Sequence, residues 1–221
     1  MPNRALIVID VQQEYFDGPL AIQYPPVEQS LARITRVLDA TQSRLPVVMV
    51  RHESPDGAPV FAAGSRGWEL HPGIEERRDP SWLSITKRLA SAFPGTGLAE
   101  QLREQGADTV TVVGYMTNNC VLATAADAQQ RGFTVEVLSD ATGSIHLANE
   151  AGSTSAKQVQ ETLMTLLQSN FATVATTHDW LRAVEQDEDL PGSNLVASAL
   201  QGAITNPFPT STTTTSDQQL M

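Results

Sequence analysis

The sequence contains one cysteine, Cys120, and it lies where a predicted helix begins. The turn 114–119 leads to it from an apolar strand, and small, helix-compatible residues follow it. A helix N-terminus carries partial positive charge and free N–H groups, which stabilise a thiolate and can bind an oxyanion. Cys120 is therefore a candidate nucleophile, although a lone cysteine is also common as a small buried hydrophobic residue.

Two charged residues also follow predicted strands. Asp10 ends the apolar run 5–9, and Lys87 follows the strand-like run 82–86. In open α/β sheets, ligands bind beyond the carboxyl ends of the strands. A lysine beside a cysteine favours the thiolate, and an aspartate can orient both groups and transfer a proton. Asp10, Lys87 and Cys120 together predict nucleophilic attack on an amide.

The elements that must position these residues alternate along the chain. Apolar, β-branched runs predict buried strands, and stripes of leucine, isoleucine and valine at helical spacing separate them. The strands are predicted at 5–9, 46–50, 109–113 and 133–138, with a weaker one at 171–174. This alternation predicts an α/β fold with a mostly parallel central sheet and helices on both faces. Ser155 followed by Gln158 predicts a capping box at one helix start.

Two stretches break this alternation. Residues 52–81 are rich in glycine and proline, and an irregular segment of that length inside a compact domain is usually functional. From residue 186 the chain becomes acidic and then rich in threonine and serine. We therefore assign 1–185 to the α/β domain and 186–221 to a C-terminal tail, which is either disordered or packed on a neighbouring subunit.

Composition excludes several classes of protein. The 221 residues include 25 acidic and 14 basic side chains, for a formal net charge of −11, so binding to nucleic acid or an anionic membrane surface is not expected. A single cysteine cannot form an internal disulfide or a cysteine-rich zinc site. The sequence shows neither a membrane-length apolar run nor a signal peptide, which predicts a soluble cytoplasmic protein.

The sequence resembles the isochorismatase-like cysteine hydrolases, a superfamily that includes nicotinamidases and N-carbamoylsarcosine amidases. The resemblance spans roughly residues 4–182, and several motifs occur in the family's order. The matching stretches are 5–12, Lys87 with 91–93 and 95–96, 113–121, 123–125 and 132–141. The resemblance implies a three-layer α/β/α Rossmann-like fold and a catalytic triad of Asp10, Lys87 and Cys120. We expect a homo-oligomer, either a dimer or a tetramer.

The resemblance also implies a cis peptide bond between Tyr115 and Met116. In that family the bond places the Met116 N–H beside the Cys120 N–H, and the two form an oxyanion hole. A substrate pocket is expected near the same strand ends. Its candidate wall residues are Tyr15, Phe16, Trp68 and His52, for which core or loop packing is the alternative.

One departure from the family concerns metal. Nicotinamidases carry an Asp-x-His site after the second strand, whereas residues 51–54 here are Arg-His-Glu-Ser. The remaining ligand candidates are His52, His71 and Glu53, and we predict neither a metal nor another cofactor.

The predicted activity is hydrolysis of a C–N bond in a small amide through a covalent thioester acyl-enzyme. Relatives that hydrolyse the vinyl ether of isochorismate lack the cysteine, so Cys120 favours an amide. Two alternatives remain open: a vinyl-ether hydrolase without covalent catalysis, and a non-catalytic binding member of the fold in which Cys120 is inert.

Overall fold

A computed structural model describes residues 2–41 and 44–207 of the chain. The strands are β1 (Arg4–Ile9), β2 (Val47–His52), β3 (Leu83–Lys87), β4 (Thr109–Tyr115), β5 (Thr134–Gly143), β6 (Leu147–Asn149), β7 (Gly152–Thr154) and β8 (Thr173–Ala175). The α-helices are α1 (Glu14–Asp17), α2 (Val27–Thr41), α3 (Pro72–Glu75), α4 (Leu98–Glu104), α5 (Leu122–Gln130), α6 (Ala156–Leu166), α7 (Thr177–Gln186) and α8 (Leu195–Thr205).

Six of these strands form one parallel sheet in the order β3-β2-β1-β4-β5-β8. Successive side chains of β1 face opposite sides: Ala5, Ile7 and Ile9 enter one apolar core, and Leu6 and Val8 enter the other. Helices α4 and α5 cover the first face, and α2 and α7 cover the second. The predicted three-layer α/β/α fold is therefore confirmed.

Among the smaller features, a capping box was predicted from the sequence and a short hairpin was not. Ser155 and Gln158 form the predicted capping box, with both reciprocal hydrogen bonds present at the start of α6. The antiparallel β6–β7 hairpin was not anticipated from the sequence. The glycine- and proline-rich loop after β2 contains a single 3₁₀ turn, Arg66–Trp68, and the short helix α3.

The chain continues to pack against the domain beyond residue 185. The carbonyl of Glu188 accepts a hydrogen bond of 2.7 Å from Arg4 Nη2, and Leu190 packs against the core that α2 and α7 cover. Helix α8 lies in the segment that the sequence assigns to a tail. Its apolar side chains are 61–74% exposed, namely Leu195, Val196, Leu200 and Ile204. The predicted threonine- and serine-rich stretch 210–216 lies outside the described residues.

Membrane insertion of a helix finds no support in the fold. Among the described residues, no helix combines the length and the apolar character that crossing a bilayer requires.

Gly114 lets β4 approach β1 closely, and we predict that it cannot be replaced. Its φ is +107°, and a Cβ there would overlap the carbonyl oxygen of Ile9. Gly114→Ala should cost more than about 4 kcal/mol of unfolding free energy or leave no folded protein, as measured by urea denaturation.

Gly132→Ala is the matched control for this prediction. Gly132 also has a positive φ, +88°, but a Cβ there would meet nothing within 4 Å. The control should lose only the roughly 1–2 kcal/mol of left-handed strain. Equal losses in the two variants would show that the close approach to Ile9 is unimportant.

Candidate active site

Three ionisable side chains meet at the carboxyl edge of the sheet. Asp10 directly follows β1, Lys87 is the last residue of β3, and Cys120 lies in a π-helical turn, Thr117–Val121, between β4 and α5. Lys87 Nζ lies 2.8 Å from Asp10 Oδ2 and 3.2 Å from Cys120 Sγ. Each of the three residues is at most 2% exposed. The structure thus brings together the predicted nucleophile, base and cation in a buried cluster.

The backbone at Asp10 turns sharply as β1 ends. Its φ of +49° is left-handed, a conformation that aspartate tolerates better than most residues with a side chain. The N–H of Asp10 still bonds to the carbonyl of Val50, and its own carbonyl accepts from the N–H of Gln12 at 2.7 Å. The turn therefore holds the carboxylate beside Lys87.

Burial and charge oppose each other within the cluster. Burial raises the pKa of Asp10, and the Lys87 ammonium only partly offsets this effect. Burial alone would lower the pKa of Lys87, but attraction to Asp10 and Cys120 outweighs burial and raises it. Lys87 is therefore positively charged, while Asp10 binds a proton more readily than an exposed aspartate does.

The thiol of Cys120 is harder to ionise than its position at a helix start suggested. Burial and then the negative charge of Asp10 raise its pKa to about 12, against the opposing effect of Lys87. The sequence indicates groups that favour a thiolate here, whereas in the unliganded site desolvation opposes ionisation more strongly than the helix terminus and the ammonium promote it. Cys120 is a neutral thiol beside a carboxylate that can accept its proton.

His52 completes the surroundings of Lys87. Its Nδ1 lies 3.0 Å from Lys87 Nζ, and burial, followed by the charge of Lys87, lowers the pKa of His52 to about 4. The buried carboxamide of Gln12 accepts from the His52 N–H at 2.8 Å and donates to the carbonyls of His52 and Trp68 at 3.0 and 2.9 Å. Gln12 thereby ties the end of β2 to the long loop.

Sequence analysis assigns Gln12 no role, although one signal is present. It is the first polar side chain after Asp10, and Val11 between them is completely buried. A polar side chain there must find partners within the protein, because a buried amide without them costs free energy.

Two of the four predicted pocket residues lie beside the cluster: Tyr15 is close to Cys120, His52 contacts Lys87, and both pack on the ring of Phe61. Tyr15 is 1% exposed and packs against the rings of Phe61 and Tyr115, with centroids 5.3 and 5.6 Å away. Burial, and then the charges of Cys120 and Asp10, raise the pKa of Tyr15, so its hydroxyl keeps its proton. Phe16 is half-buried and packs on the ring of His71 at 4.2 Å.

Trp68 lies on the side of β2 opposite His52. Arg51 precedes His52 and therefore points the other way along the strand, and its guanidinium lies 4.1 Å from the centre of the Trp68 ring. The two residues line a cavity of about 460 Å³. A different cavity, of about 610 Å³, is lined by Lys87. The side chain of Trp68 thus serves a separate surface from the ionisable cluster.

The three predicted metal-ligand candidates are dispersed. Glu53 pairs with Arg88 at 2.8 Å, and His71 Nδ1 accepts the Gly73 N–H at the start of α3. His52 is instead grouped with Asp10 and Cys120, whose potential ligand atoms all lie within 4.8 Å of one another. The Lys87 ammonium contacts each of the three, so a metal ion at their centre would have to displace it.

The turn that carries Cys120 begins with a cis peptide bond between Tyr115 and Met116. Both flanking side chains are buried, and the carbonyl of Met116 accepts from the N–H groups of Asn119 and Val121. In the described part of the chain we find no acceptor for the Met116 N–H itself. A free backbone donor near a nucleophile can bind an oxyanion.

Comparison with known proteins identifies the family. The Isochorismatase domain matches residues 4–179, most of the described chain. The chain belongs to the isochorismatase family. A maleamate amidohydrolase from Pseudomonas putida is 44% identical over 155 residues, which cover 64% of this chain and 73% of that protein.

Solved structures of isochorismatase relatives share the fold. A Burkholderia xenovorans LB400 protein described as a candidate isochorismatase is 45% identical, with a TM-score of 0.89 over 92% of this chain and 98% of that one. A cysteine hydrolase from Pseudomonas syringae is 25% identical, with a TM-score of 0.77 over 83% and 93% of the two chains. The family is hydrolytic and includes amidohydrolases, so the chain is an isochorismatase-family hydrolase.

The raised pKa of Cys120 predicts how the free protein reacts with iodoacetamide. Because the thiolate is the reactive form and the pKa is about 12, the alkylation rate should rise nearly tenfold per pH unit from pH 7 to 9.5 without a plateau. With one cysteine in the chain, the mass of the labelled protein reports on Cys120 alone. A plateau near neutral pH would show a thiolate already present in the free site.

Proposed function

We propose that the protein is a cysteine amidohydrolase, which cleaves the C–N bond of a small amide through a thioester acyl-enzyme. One observation carries this proposal: the Lys87 ammonium lies between Asp10 and Cys120, at 2.8 and 3.2 Å, and all three residues are at most 2% exposed. A thiol, a carboxylate with a raised pKa and a fixed cation are what nucleophilic attack on a neutral amide requires.

In the first step, Asp10 takes the proton of the Cys120 thiol as Sγ attacks the amide carbonyl carbon. The carbonyl π electrons move to its oxygen, which becomes an oxyanion. The N–H groups of Met116 and Cys120 are the proposed donors to this oxyanion. Because the thiol does not ionise beforehand, proton transfer and attack are coupled, and the raised pKa of Asp10 suits it to accept this proton.

In the second step, the tetrahedral intermediate collapses. Asp10 donates its proton to the amide nitrogen, the C–N bond breaks, and ammonia or an amine leaves while the acyl group stays on Sγ as a thioester. Water then attacks the thioester and gives one proton to Asp10. That proton returns to the sulfur as the carboxylic acid product leaves.

Lys87 has an electrostatic role in this scheme. Its ammonium faces the two groups that exchange a proton, and it neutralises whichever of them carries the negative charge. Proton transfer within the cluster keeps its net charge constant, and Lys87 pairs with the negative charge at both of its positions. This avoids the large cost of an unpaired buried charge.

That the protein forms a homo-oligomer remains a prediction from the sequence.

The substrate class is open to a direct screen. Release of ammonia should be measured over a panel of small primary amides and N-carbamoyl compounds. Maleamate belongs in the panel because a relative that is 44% identical is named for its hydrolysis. Turnover of at least one amide, with the matching acid as the second product, supports the proposal. Hydrolysis of a vinyl ether without amide turnover would favour the alternative.

Single substitutions in the cluster should each remove most of the activity. Cys120→Ala removes the nucleophile, Asp10→Asn removes the base, and Lys87→Met removes the cation. Each should lower kcat by roughly 10³-fold or more, and the double variant Asp10→Asn/Cys120→Ala should lose little more than either single variant. The measurement is steady-state ammonia release with the best amide from the screen.

Asp39→Asn is the matched control for these variants. Asp39 is also a carboxylate paired with a cation, Arg77, but that pair is near the surface and outside the site. Its kcat should stay within about twofold of the unmodified protein. A Cys120→Ala variant with near-normal kcat and an unchanged melting temperature would refute the covalent mechanism.

Activity should not depend on a metal ion. The Lys87 ammonium fills the space between the three potential ligands, so extended dialysis against EDTA should leave the rate of ammonia release unchanged. If the activity disappeared and zinc restored it, His52 would have to act as a metal ligand, and the role of Lys87 would need to be revised.

A further inference from the structure

The order of the strands determines the path that the Lys87 side chain must take. Strand β2 lies between β3, which carries Lys87, and β1, which ends at Asp10. The lysine side chain must therefore cross the end of β2 to reach the carboxylate. The β2 residue in register with Lys87 is His52, and its Nδ1 lies 3.0 Å from the lysine nitrogen. His52 is thus the side chain at the point where the crossing occurs.

The ammonium has more acceptors than protons. It lies near Asp10 Oδ2 at 2.8 Å, His52 Nδ1 at 3.0 Å, and both the Leu89 carbonyl and Cys120 Sγ at 3.2 Å. An ammonium donates three hydrogen bonds, and a thiol sulfur is the weakest of the four acceptors. The three stronger partners together determine where the ammonium lies relative to the sulfur.

His52 can accept such a bond only while Nδ1 carries no proton. Burial and the neighbouring positive charge keep the imidazole neutral, because they lower the pKa of His52 to about 4. The charged groups facing it are Lys87, Asp10 and, when ionised, Cys120. With Nδ1 as the acceptor, the proton of the neutral ring resides on Nε2.

The position of His52 is itself determined by contacts within the protein. Gln12 is completely buried and bonds to both the N–H and the carbonyl of His52. The ring of Phe61 packs edge-on against the imidazole, with centroids 5.2 Å apart. The backbone of His52 is therefore held by Gln12 and its ring by Phe61, and a positioning group needs such support.

We propose that His52 is a positioning residue for Lys87, whose unprotonated Nδ1 accepts a hydrogen bond from the ammonium and holds it between Asp10 and Cys120. This role rests on the proposed amidohydrolase function, in which Lys87 must face both groups. It differs from a pocket wall and from a metal ligand. His52 contacts no reacting atom in this scheme and acts only through Lys87.

Magnetic resonance of labelled lysine tests the contact without a substrate. The chain has two lysines, Lys87 and Lys157, and the side chain of Lys157 is 61% exposed and serves as an internal reference. His52→Leu should shift the ¹⁵Nζ signal of Lys87, whereas His52→Asn, whose Oδ1 attaches where Nδ1 does, should bring it back towards the original position. The Lys157 signal should not move. An unchanged Lys87 signal in His52→Leu would overturn the proposal.

The tautomer of His52 in the unmodified protein provides a test that no folding defect can obscure. The sequence has four histidines, and the His52 signals are identified by their absence from His52→Asn. Imidazole ¹⁵N shifts between pH 5.5 and 8 should show a proton on Nε2 and none on Nδ1. A proton on Nδ1 in that range would overturn the proposal.

Kinetics then tests the consequence for turnover. His52→Leu should lower kcat by roughly 10- to 100-fold, the range seen when partners that orient an active group are removed, with little change in KM. His52→Asn should recover most of the loss. His146→Leu is the control, because it also removes an Nδ1 acceptor, which bonds to the Ala156 N–H far from the cluster, and its kcat should stay unchanged.

These outcomes separate failure of the inference from failure of the proposed function. If no amide is hydrolysed, or if Cys120→Ala keeps its activity, the amidohydrolase proposal fails. The two resonance measurements still show whether His52 Nδ1 accepts a hydrogen bond from Lys87. If the unmodified protein is active but His52→Leu and His52→Asn have equal kcat values, positioning through Nδ1 is refuted and the amidohydrolase proposal stands.

Discussion

The buried ion pair between Lys87 and Asp10 is the interaction on which the rest of the site depends. Both side chains are completely buried, and a buried pair often contributes less to stability than apolar residues of the same volume would. Three specific features hold this pair in place: the left-handed backbone conformation of Asp10, the glycine Gly114 that lets β4 approach β1, and His52 at the point where Lys87 crosses β2. Such an arrangement is better explained by chemistry at the strand ends than by folding stability.

Burial, and then the charges of the same pair, determine the resting state of Cys120. An ammonium alone would favour a thiolate, but it is already paired with a carboxylate, and a second negative charge beside that carboxylate is unfavourable. The proposed mechanism accordingly starts with a positive charge on Lys87, a negative charge on Asp10 and a proton on sulfur. Moving that proton to Asp10 shifts the negative charge across a few ångströms while Lys87 stays in contact with both atoms. The proposed nucleophile is thus generated only when an electrophile is there to receive it.

Much of the fold could be predicted from the sequence because it depends on local patterns. Doubly buried strands are continuous apolar runs, and Asp10, Lys87 and Cys120 each follow such a run or its turn. The contact between His52 and Lys87 depends instead on strand order and register, which local patterns do not encode. The raised pKa of Cys120 could not be predicted from the sequence because it depends on burial among charges distant in sequence. Trp68 was predicted to line the pocket from its aromatic type and its position in the family, neither of which shows which face of β2 its side chain packs on.

The long loop after β2 reaches the cluster through the backbone of Trp68 and through the ring of Phe61. Gln12 bonds to the carbonyl of Trp68 and to the N–H and carbonyl of His52, whereas the side chain of Trp68 packs under Arg51 on the other face of the strand. Any residue at position 68 would offer the same carbonyl, so the Trp68 side chain can change without removing this support, whereas Phe61 of the same loop packs its ring against His52. The demanding positions are Gln12 and His52, where a particular side chain makes each bond. Surface and cavity shape can therefore diverge between relatives while the ionisable cluster keeps its geometry.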